Sequence, residues 1–221
     1  IVLVHGGNEF CPVPNPRTIT NYRAFARAGA SAVIATHTHC PQGIEIIDGV
    51  PIAYSLGNFL FDTPFADQSY RTDDQWWQGL LLQLDFRGNS AVRLKVTPVD
   101  SGPDGTRVKP LTDSARSDAL AYLDHLSALL ADEPSRNQLW QAWCSEQGPW
   151  WHDYFQKIGT REDLIQHTSP DNLMVLRNGF TCEAHYEVLK TYFSMMWDQV
   201  PVPTADVLNR LHQLQKGRFN S

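Results

Sequence analysis

No apolar run in the 221 residues approaches the roughly 20 needed to cross a bilayer; the longest, such as Gly79-Leu80-Leu81-Leu82, is strand-sized. Basic clusters are equally absent. Lys and Arg number 18 against 24 Asp and Glu, a formal charge of −6. An acidic chain without a basic patch repels a phosphate backbone, which excludes a dedicated nucleic-acid binder. Cysteine is scarce: Cys11, Cys40, Cys144 and Cys182 are widely spaced and form no CxxC pair. Their even number permits two disulfides, a core of this size does not need them, and they leave the compartment open. No basic region precedes Ile1-Val2-Leu3-Val4-His5 and no small-residue cleavage site follows, so these residues do not read as a signal peptide. There is no initiator Met, and the opening residues read as a buried strand, so the chain is expected to be a piece of a longer polypeptide. Internal repeats and low-complexity tracts are missing too. What is present is ample core material: 42% hydrophobic residues and 24 aromatics (10 Phe, 7 Trp, 7 Tyr), which exclude intrinsic disorder.

The first hundred residues alternate strand and helix patterns. Ile1–Val4 is a continuous apolar run, expected to be a strand buried on both faces. Residues 18–28 carry Tyr22, Phe25 and Ala26 at helical spacing, with Gly29 as the C-terminal cap. Residues 32–35 form a second apolar run. Residues 44–47 and 50–54 flank Asp48-Gly49, which predicts a hairpin with a type I′ turn. Residues 80–86 and 91–99 alternate around Arg87-Gly88-Asn89. After Pro103-Asp104-Gly105 the pattern turns helical. Leu120, Leu123, Leu126 and Leu130 line one face of 113–131, and Pro134 marks a stop. A short helix is expected from near Asp171 to Asn178-Gly179. Another spans 181–198 with Ala184, Val188, Tyr192, Met195 and Met196 along a stripe, and a third runs over 204–215 from a Thr204 cap with Val207, Leu208 and Leu211 inward. The expected organisation is an α/β part over 1–105 and a mostly helical part over 106–221 that packs on it.

Three histidines fall at the ends of expected strands. His5 follows Ile1–Val4, and His37 and His39 follow Val33-Ile34-Ala35-Thr36. In parallel α/β sheets sites assemble at this edge, because loops there can be shaped without disturbing the core. His37 and His39 are an i, i+2 pair, so extended backbone would point both imidazoles to one side. Imidazole is the commonest transition-metal ligand, and two rings from one strand end with a third from its neighbour would make a cation site. Taken singly, each histidine also suits a structural or surface role.

The runs His5-Gly6-Gly7-Asn8-Glu9-Phe10, Ala28 to His39, Pro41-Gln42-Gly43-Ile44-Glu45 and Ile52 to Asp62 occur in this order. Together they resemble the C-terminal half of the CapA (poly-γ-glutamate capsule synthesis) family, itself similar to the calcineurin-like metallophosphoesterases. The likeness covers about residues 1–100 and fades in the helical region. It implies part of a calcineurin-like αββα sandwich followed by a helical extension. It further implies metal-dependent hydrolysis of a phosphoester or related bond, linked to capsule or poly-γ-glutamate biosynthesis at the cell envelope. His5, His37 and His39 match the family's metal-binding histidines, with Thr36 where glycine is usual. Glu9 matches an acidic residue of the family motif and Asn58 lies in the stretch beside the site; both are candidate catalytic residues. The cofactors implied are two divalent transition metal ions, Mn, Fe or Zn. The family draws carboxylate and amide ligands from the first half of its domain, so the N-terminal half of the same domain is an expected partner. The others are an anionic polymer or phosphoester substrate and an envelope synthase complex. A non-catalytic polymer-binding or complex-docking protein of the same fold is the competing reading.

Other residues admit more than one reading. Cys11 and Cys40, close in sequence to the histidines, could be thiol ligands, a nucleophile, a disulfide or inert packing. Asp62 could contact substrate or start a loop, and Asp73-Asp74 reads as a solvated loop. His5-Gly6-Gly7 resembles an esterase oxyanion-hole motif, but no Gly-x-Ser-x-Gly accompanies it: Gly29-Ala30-Ser31-Ala32-Val33 fails at its last position. Trp140, Trp143, Trp150, Trp151, Tyr154 and Phe155 form an aromatic segment that could line a sugar- or polymer-binding groove or pack the helical part onto the sheet. His125, His152, His167, His185 and His212 are read as structural.

Overall fold

Pro16 and Asn15 decide where the first helix begins. The computed structural model describes residues 1–60, 74–101, 107–156 and 170–217, and in it α1 (Pro16–Arg27) starts with the proline in its first turn, where a missing N–H costs nothing. The Asn15 side chain caps it by accepting from the Thr18 N–H at 2.7 Å. The helix ends at Ala28, and Gly29 follows at φ +103°, a left-handed conformation that suits glycine as the expected terminator.

The helix packs on a four-stranded sheet of order β1-β2-β4-β3, made of β1 (Val2–His5), β2 (Val33–Thr36), β3 (Ile44–Ile47) and β4 (Val50–Ala53). β1, β2 and β4 run parallel, and β3 returns antiparallel to β4. The β3–β4 turn has Asp48 at φ +51° and Gly49 at φ +81°, the type I′ geometry that Asp-Gly predicts. Ile19, Tyr22 and Ala26 of α1 meet Val33, Ala35, Ile52 and Tyr54 in one buried cluster. The expectation that Ile1–Val4 is buried on both faces is corrected. Val2 and Val4 pack against that cluster, but Leu3, which alternates to the other face, is 78% exposed because no described residue covers that face.

A second sheet, β5 (Gln78–Arg87), β6 (Ser90–Asp100) and β7 (Lys109–Pro110), is an antiparallel hairpin with a short third strand. It is preceded by one helical turn, α2 (Asp74–Trp77). The sheets join where the Leu80 N–H donates to the Leu56 carbonyl at 2.8 Å. A Cβ on Gly79 would lie only 1.9 Å from the Asn58 carbonyl oxygen, so only glycine permits this approach.

The rest is helical: α3 (Asp113–Ala131), α4 (Glu133–Gln156), α5 (Pro170–Thr181), α6 (Glu183–Trp197) and α7 (Ala205–Gln215). Pro134 sits in the first turn of α4, just after α3 has ended. Thr204 caps α7 as expected. Asn178-Gly179 does not end its helix. α5 runs on to Thr181, and Gly179 is there to let Trp151 pack, since a Cβ would come within 2.8 Å of that ring. On the α6 stripe Val188 and Met195 are buried, but Met196 is 55% exposed and Glu187 takes an inward position. The packing reading of the tryptophans holds for Trp140, Trp143 and Trp151, which join Leu126, Leu139 and Leu211 in a core that also takes up Cys11 and Val13 from the loop after β1. Trp150 does not join it. Asp62, Asp73 and His167 lie outside the described residues.

A polar clamp ties α1 to the hairpin. Arg23 donates two hydrogen bonds to Glu45, each 2.8 Å, and the Tyr54 hydroxyl adds a third at 2.7 Å. Burial raises the Glu45 pKa, but these bonds outweigh it and hold the carboxyl below its ordinary value. Glu45→Gln is expected to cost about 2 kcal/mol of stability at neutral pH, read by urea unfolding. The deficit should shrink in acid, because the wild-type carboxylate contributes its stability above the unfolded-state pKa and loses it as pH falls through the lower folded value.

Candidate functional site

The parallel register pairs His5 with Thr36, so β1 and β2 end side by side and their following loops leave the same edge of the sheet. Those loops are bonded together. Gly6 N–H donates to the Thr36 carbonyl at 3.1 Å and Phe10 N–H to the Thr38 carbonyl at 2.8 Å. Gly7 adopts φ +109°, and a Cβ there would stand 2.8 Å from Thr38 Cγ2, so the crossing requires glycine.

The three imidazoles converge. The ring centroids of His5 and His37 are 4.6 Å apart, and those of His37 and His39 are 6.1 Å apart. They meet by another route than the sequence spacing suggests. The backbone past Thr36 is not extended: His37 has φ +108° and His39 φ +56°. Side chains other than glycine rarely adopt such angles, and residues held there cluster at functional sites. Glu9 faces both of the later rings, with its Oε1 lying 3.9 Å from Nε2 of His37 and 3.9 Å from Nε2 of His39.

His39 is the most firmly held of the three. Its Nδ1 is 2.8 Å from Asn58 Oδ1, while Asn58 Nδ2 donates to the Trp76 carbonyl at 2.9 Å. That second bond fixes which end of the amide is oxygen. An amide oxygen only accepts, so Nδ1 carries the proton and Nε2 keeps its lone pair turned toward Glu9. The ring is further stacked on Trp76, with centroids 4.7 Å apart. His37 is half-buried, and burial lowers its pKa first of all. Glu9 opposes that shift and the neighbouring histidines add to it, so the neutral imidazole is favoured.

Asn8 and Asn15 set the position of Glu9, and the sequence assigned neither a role. Asn15 Nδ2 donates to Asn8 Oδ1 at 2.9 Å, and Asn8 Nδ2 donates to the Ala184 carbonyl of α6 at 2.9 Å. One buried amide pair thus joins the helix cap, the site loop and the helical part. An Asn just before Glu9 and another before Pro16 were the only signals available.

The cysteines are free thiols. Burial pushes the Cys40 thiol up to about 12 and raises Cys11 well above its ordinary value, and both side chains are buried in the packing, which disfavours nucleophilic attack. Among the described residues no group of three or more His, Cys, Asp or Glu side chains has the spacing to hold a metal ion by itself.

A family model described as bacterial capsule synthesis protein PGA_cap matches residues 1–63, the stretch that holds His5, Glu9, His37, His39 and Asn58. Over 100 residues, 45% of this chain, the sequence is 37% identical to the PGA biosynthesis protein CapA of Bacillus subtilis (strain 168). A match of the same extent is 33% identical to the capsule biosynthesis protein CapA of Bacillus anthracis. The chain covers 24% and 22% of the lengths of these two relatives.

Gly7→Ala tests the loop crossing. The positive φ and the Thr38 contact together should cost about 2–4 kcal/mol, measured by chemical unfolding, whereas Gly29→Ala, with nothing near its Cβ, should cost about 1 kcal/mol.

Proposed function

Because residues 1–63 match the bacterial capsule synthesis family model, we propose that the histidine cluster is the chain's share of a metal-dependent hydrolytic site acting on a phosphoester or related bond in envelope-polymer biosynthesis. The observation that carries this is the pairing of the His37 and His39 Nε2 atoms around one carboxylate oxygen of Glu9. Asn58 holds one of those rings in the tautomer a metal needs.

The donor set fits divalent transition ions such as Mn, Fe or Zn: neutral imidazole nitrogens with an oxygen donor beside them. It is not a full complement, and further ligands have to come from outside the described residues, as the family resemblance implies. Two such ions, when bound, would lower the pKa of a shared water and stabilise the charge growing on a phosphoryl oxygen.

The chain's own contributions are more specific. His37, kept neutral by burial, offers its lone pair without first losing a proton at neutral pH. His39 Nε2 is aimed by a bond on the far side of its ring. Asn58 is a positioning residue, acting through His39 and itself fixed by the Trp76 carbonyl. The Glu9 carboxylate is half exposed beside the imidazoles, where it can orient a water or accept its proton. An anionic polymer or phosphoester would approach from this open edge, and an envelope synthase complex is the setting proposed for it.

Equilibrium dialysis against Mn, Fe and Zn salts should show binding that weakens as pH falls below about 6.5, the ordinary imidazole value, because protons then compete for the same lone pairs. The His37 shift moves its share of that loss to lower pH. Asn58→Ala should weaken metal binding by about 10- to 100-fold with the fold intact. Turnover of a chromogenic phosphoester by the metal-loaded protein should be abolished in His37→Ala. No binding of any of the three metals would overturn the reading.

A further inference from the structure

A cavity of about 650 Å³ opens beside the histidine cluster. Glu9, Phe10 and His37 line it together with Trp143, Trp150 and Trp151 of α4 and residues of α5 and α6. Its size falls within the range of small-molecule sites. The tryptophans lie beyond the family-matched residues 1–63, so the matched segment does not account for this cavity.

Charge and shape narrow the occupant. Among the described lining residues there is no Lys or Arg, and the acidic one is Glu9. A cavity of that composition repels a carboxylate polymer. Trp150 leaves 54% of its surface exposed, an unusual fate for so large an apolar ring. It is held there, stacked on Tyr154 at 5.4 Å and set edge-on to Trp151 at 4.9 Å, so it forms a rigid platform. Gln147 and Asn178 line the same cavity.

We propose that this cavity is a binding subsite for a neutral pyranose ring. The C–H face of a sugar carries slight positive charge and stacks on the electron-rich face of Trp150, while its hydroxyls pair with the amides of Gln147 and Asn178. The inference rests on the hydrolase reading only for what happens next door: a ring seated here places a phosphoester substituent toward the imidazoles. Binding of the ring itself requires no metal.

The test titrates the metal-free 221-residue protein with cellotetraose, chitotetraose and tetraglutamate, followed by calorimetry and tryptophan fluorescence. Saturable binding of at least one tetrasaccharide and none of tetraglutamate is expected. Trp150→Ala should weaken the sugar by about tenfold or more, with the cooperative melting transition retained and only modestly lowered, since the ring is 54% exposed but stacks on its neighbours. Asn178→Ala should weaken it severalfold. Saturable tetraglutamate binding, no binding of either sugar, or an unchanged Kd in Trp150→Ala would each overturn the proposal. Phosphoester turnover of the metal-loaded protein is read separately. Sugar binding without turnover defeats the hydrolase reading alone, and turnover without sugar binding defeats the subsite alone.

Discussion

The parallel pairing of β1 with β2 is the constraint on which the site depends. Parallel strands end at the same edge, so residues far apart in sequence are delivered to one place. The pairing of His5 with Thr36 brings the three imidazoles within reach of each other. A slip of one residue would move every β1 side chain to the other face of the sheet. Val2 and Val4 would leave the cluster under α1, and the loss of that burial is what holds the register.

The backbone at the strand ends carries its own cost. Phe10, His37 and His39 all adopt positive φ without being glycine. Such conformations persist when the surroundings over-determine them. Here the surroundings are the two inter-loop hydrogen bonds, the close contact of Gly7 with Thr38, and the Asn8–Asn15 pair anchored to α6. The helical part therefore does more than cover the sheet. Its Ala184 carbonyl fixes the loop that carries Glu9, and its tryptophans wall the cavity beside the imidazoles. Loss of the helices would release the site loop as well as the core.

The two halves of the site use different physics. The strand-end cluster is polar and offers lone pairs in a defined direction. The cavity is aromatic and uncharged apart from Glu9.

Local features were legible from residue order because their causes are local. Asp48-Gly49 adopts its turn since few residues accept two consecutive positive φ angles. Gly29 ends α1, and the histidines follow apolar runs that become parallel strands. Where a pattern depended on a distant neighbour it misled. Leu3 is apolar yet exposed because it faces the side of the sheet that no described residue covers there, and Gly179 lies inside a helix because Trp151 needs its space. The extended i, i+2 geometry expected of His37 and His39 gave way to a tight turn bonded to the β1 loop. Residue order by itself determined the donor chemistry, three imidazoles and a carboxylate at strand ends, since side-chain type and strand pattern are both written in it. Only the tertiary structure decided which nitrogen of His39 keeps its lone pair and that tryptophans line the cavity beside the imidazoles. Hydrogen bonds from Asn58 and packing from α4 act across the fold, and no spacing along the chain encodes them.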